Sequence, residues 1–147
     1  MKKSLVVFVV LLSLSLAPSA AANEDYLYVV GAVEGSNLYM TFVALGVLGD
    51  AFENGVYETA TAKDIALEIG GITKNIKESL DKLIVKDLAV GDDRQTILDM
   101  IAAEEFLEKQ AAELIKYIED PKVPNDFQYY RGQAWEKISK ILGIPAQ

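Results

Sequence analysis

Along residues 61–83 the large apolar side chains fall at Ile65, Ile69, Ile72, Ile76, Leu80 and Leu83, in steps of three and four. That spacing returns to one face of an α-helix at every turn and to neither face of a β-strand, so it commits the segment to an amphipathic helix. Lys63, Lys74, Glu78 and Lys82 fall largely off this face. Such a helix needs partners, because packing of its oily stripe supplies most of its stability.

Caps and breakers delimit this helix and three others. It opens at Thr61, with Asp64 three residues on. A later helix starts at Asp92, with Gln95 in a capping-box-like position, and runs to about Glu119 before Pro121. The last starts at Asn125, after Pro124 and with Gln128 at its third position, and stops at Gly143 ahead of Pro145. The first takes Asn23 as its N-cap, with Glu24 and Asp25 in the turn where negative charge suits the helix dipole, and ends at Asn54 and Gly55. Two alternatives stay open inside it: a break near Gly35 and Ser36, or a strand over residues 26–33. The connections at 55–60, 89–91 and 120–124 are short, which forces sequence neighbours to pack antiparallel. The expected fold is therefore all-α, an antiparallel up-down four-helix bundle after an N-terminal signal peptide.

The leader is read from Lys2 and Lys3, an apolar stretch over residues 5–16, then Ala17, Pro18, Ser19 and three alanines ending at Ala22. About twelve apolar residues fall short of the ~20 that cross a bilayer, so the segment reads as a signal peptide cleaved after Ala22. Residues 23–147 then form a single domain, periplasmic or extracellular. Taking 22 from 147 leaves 125 residues, enough for a packed core. Removing Lys2 and Lys3 from the 14 basic residues leaves 12 against 22 acidic ones, a net charge near −10. A surface of that sign repels phosphate backbones, and nucleic acid is not an expected partner.

Two absences narrow the chemistry. Without cysteine there is no disulfide, so stability rests on packing. Without histidine there is no Ser-His-Asp triad, no histidine zinc site and no Glu-x-x-His di-iron pair. No nucleotide or nucleophile-elbow fingerprint occurs, and no cofactor or resident metal is expected.

The first helix is the least ordinary. No charged residue lies between Glu34 and Asp50, and large apolar residues cover nearly its whole circumference. Fifteen residues are too few for a stable membrane span, so the helix is expected at the centre of the bundle, with Gly31 and Gly35 allowing close approach of a neighbour. If part of it faces a second copy or an envelope protein, Tyr39 and Phe42 are the expected contacts.

On the third helix, a projection at 100 degrees per residue places Glu104 and Glu108 in the inner stripe with Ile97, Ile101, Ala111, Ile115 and Ile118. On the first, the inner face is read as Val30, Val33, Met40, Ala44 and Leu48, with Asn37 and Thr41 among them. If these two helices run parallel with level starts, Asn37 meets Glu104 and Thr41 meets Glu108. Buried carboxylates need partners, so this layer would hold a small ligand, a divalent cation or a hydrogen-bond network. Arg131 projects inward on the fourth helix and could neutralise one carboxylate, with Trp135 beside it as a stacking surface. The expectation is an exported, non-enzymatic protein that acts by binding, through its first helix or through this polar layer. The alternative is a cell-envelope hydrolase using Glu104 or Glu108 as acid or base.

Overall fold

The computed structural model describes residues 20–145, and four helices fill most of them. They are α1 (Ala20–Glu53), α2 (Thr59–Val85), α3 (Gly91–Glu119) and α4 (Phe127–Leu142), with no strand among the described residues. Residues 1–19 of the expected leader lie outside this range. α1 is unbroken, which disposes of both the strand over 26–33 and the break near Gly35. It already runs through Asn23, so that residue is inside the helix and not at its cap.

Helix ends follow local chemistry. Gly55 and Gly143 adopt left-handed backbone (φ 68° and 65°), and the next residues close back onto the helix through Val56 N–H to Ala51 O and Ile144 N–H to Ser139 O. This is the Schellman closure that glycine favours. α2 ends the same way on Asp87 (φ 51°), with Leu88 N–H donating to Leu83 O. The starts are less defined by side chains: Glu58, Val90 and Asp126 precede α2, α3 and α4 without a side-chain cap. Two of the expected starts, Thr61 and Asn125, accordingly miss by two residues; Asn125 instead accepts the Phe127 N–H at 3.2 Å.

The helices run up, down, up, down. Levels along the axes show it: Gly31 lies by Met100 and Gly49 by Leu114, so α1 and α3 are parallel, whereas Gly35 lies by Leu142 and Gly49 by Phe127, so α1 and α4 are antiparallel. Lys77–Glu108 at 2.5 Å and Lys63–Glu119 tie α2 to α3, and Asp99 takes Lys140 at 2.7 Å and Lys137 at 3.7 Å across α3 and α4.

The central helix is α3, not α1. It packs on all three others and buries Ile97, Met100, Ala103, Leu107, Ala111, Leu114 and Ile118. α1 is an outer helix, and its inner face is rotated from the expected one. Leu27, Leu38, Leu45 and Leu48 are buried, while Val33 (65% exposed), Met40 (64%) and Ala44 face outward. The physical reason lies in the glycines. A Cβ at Gly35 would sit 3.2 Å from Leu142, and one at Gly46 would run into the Arg131 guanidinium, so the face without side chains is where α4 comes close. Residues Tyr26–Glu53 are also long and apolar enough, by length and composition, to cross a membrane, although only a third of the most apolar window is buried in the bundle.

Candidate functional site: a buried carboxyl pair under an apolar groove

α1 delivers Glu34 and Asn37 to one level of the bundle, and α3 delivers Glu104 to the same level. Asn37 Nδ2 donates to Glu104 Oε1 at 3.3 Å. Glu104 is 0% exposed and Glu34 7%, and the two carboxyl groups lie within hydrogen-bond reach of each other. Two carboxylates cannot both stay charged so close together and so far from water. Burial pushes the Glu104 carboxyl up to about 9, and the facing Glu34, through its hydrogen bond and its charge, adds to that. Burial also raises Glu34, against the opposing hydrogen bonds of Glu104 and Asn37. At neutral pH Glu104 therefore keeps its proton, and the two acids do not carry two negative charges.

Glu104 Oε2 and Glu34 Oε1 are both buried, and neither has a hydrogen-bond donor among the described residues. No basic group is among those acting on either acid. Lys77, on the facing helix, is held at 2.5 Å by Glu108.

Above this pair lies a groove of about 400 Å³ between α1 and α2, with Glu34 in its lining. Its apolar wall comes from Val30, Ile72, Ile76, Leu80 and Leu83, and Tyr26, half exposed, stands in the lining nearer the N-terminus of α1. The helical seam that stabilises α2 thus also lines the groove, because α1 does not cover all of it.

The expected site residues separate into three places. Asn37 and Glu104 meet. Glu108 does not join them: its carboxylate turns to Lys77 on α2 instead of Thr41, which is half-buried on α1. Arg131 reaches no carboxylate among the described residues. Its Nη1 donates to Phe42 O at 3.3 Å, and its guanidinium lies 4.2 Å over the Phe42 ring, which itself stacks on Trp135 at 5.2 Å. Arg131, Phe42 and Trp135 form a clasp between α1 and α4, so Phe42 is engaged inside the bundle while Tyr39 is partly exposed outside it.

Glu34 itself was missed. The signal was available: it is the only charged residue between Asp25 and Asp50, and Val30, Gly31, Asn37 and Leu38 surround it at helical spacing. A second buried polar group, the wholly covered Gln110, has no partner at either end of its amide. Among the described residues no three Asp or Glu side chains converge as a metal cluster.

The fold and the site together define a four-helix bundle with an acid pair between its two parallel helices. Comparison with family models, curated proteins and solved structures gives no match to this chain.

Proposed function

We propose that this chain is an exported, non-enzymatic binding protein whose ligand is a small, largely apolar molecule seated in the α1–α2 groove and anchored on Glu34. The observation that carries this reading is an apolar groove whose lining includes the buried Glu34, with no donor to its Oε1 among the described residues. A buried acceptor without a donor costs about 1–3 kcal/mol, and a ligand that supplies the donor recovers it. Apolar walls with few polar anchors are the usual composition of small-molecule sites. The hydrolase alternative has less support, because Glu104 is covered completely and Glu108 is paired with Lys77.

Thermal melting with 1-octanol as a probe tests the groove. The midpoint rises with probe concentration, because a ligand preferring the folded state must raise it. In Ser79→Trp, which fills the groove from its rim, the response disappears; an unchanged response in that variant places the binding elsewhere.

The outward face of α1 supports a second reading, pairing with another copy of the chain. Val29, Val33, Met40 and Val47 are more than half exposed, and with Ser36 and Val43 they repeat in steps of four and three, the spacing of a coiled-coil seam. The face carries no charge on a chain of net charge −8, so it is where two copies meet without repulsion. Sedimentation of the chain gives a dimer on this reading, and Met40→Glu gives a folded monomer. A monomer at all concentrations refutes it.

A further inference from the structure

We infer that two copies of the chain pair antiparallel along α1, across a two-fold axis at the level of residue 38, so that Val29 meets the partner's Val47 and Ser36 meets the partner's Met40. This rests on the self-pairing reading of the outward face of α1 and adds the partner's direction and register.

The outward stripe sets the register. Its exposed or half-buried positions 26, 29, 33, 36, 40, 43, 47 and 50 are separated by steps of three and four that read the same from either end. Reversing the second helix therefore brings 29 opposite 47, 33 opposite 43 and 36 opposite 40, every pair centred on 38. A two-fold axis makes each of these contacts occur twice, so one stripe serves both copies.

The side chains choose the direction. Antiparallel, valine meets valine in the outer layers and the small Ser36 meets the long Met40, so facing side chains fill each layer to a similar volume. Parallel, Ser36 would face its own copy across a gap while Met40 crowded against Met40. The ends of the stripe add charge to the argument. Tyr26 and Asp50 are exposed and stand one step beyond Val29 and Val47. Antiparallel pairing sets the Tyr26 phenol, a hydrogen-bond donor, level with the partner's Asp50 carboxylate, whereas parallel pairing sets two Asp50 carboxylates against each other. Ser36 brings no unmet donor to the contact, because its hydroxyl already donates to Ala32 O at 3.0 Å in its own helix.

The chain contains no cysteine, so introduced thiols report the register without background. Val29→Cys and Val47→Cys each change a side chain that is more than half exposed, which spares the core. On the antiparallel register neither variant, expressed and oxidised by itself, crosslinks to its own copy. The two like thiols then stand about 27 Å apart along the axis, the helical rise from 29 to 47, whereas a disulfide needs Cα atoms within about 7 Å. Co-expressed and then oxidised, the two variants crosslink in their mixed dimers, and reduction removes the band. Crosslinking of either variant to its own copy shows a parallel pair and overturns the register while leaving self-pairing intact. A dimer in sedimentation that forms no disulfide in any of the three preparations places the contact on another face and overturns the register with it. A monomer at all concentrations overturns self-pairing itself.

Discussion

Glu104 and Glu108 stand one turn apart on α3 and have opposite fates. Glu104 meets Glu34 and Asn37 from α1 in a dry interior and keeps its proton to a pH near 9. Glu108 meets Lys77 from α2 at 2.5 Å on a partly wet flank. Four residues rotate a helix by about 40° beyond a full turn, and here that small rotation moves the carboxyl from one partner helix to another. The same side chain becomes a buried acid in one place and half of a surface ion pair in the next, so the partner helix, and not the residue, sets the chemistry.

The strongest way to break this contrast is pH. Glu104 has a folded-state pKa raised above its unfolded value, so the folded chain holds a proton that the unfolded chain has already released. Its contribution to stability is fully present below pH ~4.5 and is lost as pH rises through about 9, at up to ~1.4 kcal/mol per pH unit. The groups that face it are Glu34 and Asn37 from α1 and Glu108 from its own helix, and Glu34 slopes the same way. Asp99, Glu105 and Glu113 slope the other way, since lysines depress them, but they act in the acid range below the ordinary carboxylate values. The chain has no histidine, so little else titrates between pH 5 and 9. The melting midpoint should fall by several degrees across that window, measured by circular dichroism. Glu104→Gln flattens the curve and raises the midpoint at pH 8 but not at pH 4.5. A flat wild-type curve means the acid pair is not buried as described.

Gln110 sharpens the comparison by removing charge from it. It is as deeply buried as Glu104, yet neither its Nε2 nor its Oε1 finds a partner. An unsatisfied buried amide is a liability, and an apolar side chain of similar shape avoids it. Gln110→Met should stabilise the fold by about 1 kcal/mol at every pH, which denaturant unfolding measures. A loss of stability would show that Gln110 has a hydrogen-bonded role.

Periodicity, breakers and short connections made the four helices and their antiparallel order legible, and rise per residue brought Asn37 to the level of Glu104. The rotation of α1 was not legible. Val33 and Met40 were read as inner and lie outside, because a helix apolar all round has no preferred face in its hydrophobicity. The information sat in what was missing: Gly35, Gly46 and Gly49 mark the side where Leu142, Arg131 and Phe127 press in. The same rotation explains Arg131, whose guanidinium fills the space over Gly46 and Phe42 and is thereby kept from any carboxylate.

The smallest expected effect is on the other acid. Lys77 and Glu108 have side chains 24% and 33% exposed, so their pair gains modest Coulomb energy and is screened by salt. Glu108→Gln should cost no more than about 1 kcal/mol at low ionic strength and less in high salt. It should also act at a distance. The Glu108 charge is one of the forces that raise Glu104, so removing it shifts the midpoint of the pH–stability curve to lower pH without changing its sign. The two carboxyl groups are then separate sites joined by a weak field. If Glu108→Gln instead abolishes the slope, the proton belongs to a single three-acid cluster, and the division of α3 between its two neighbouring helices fails.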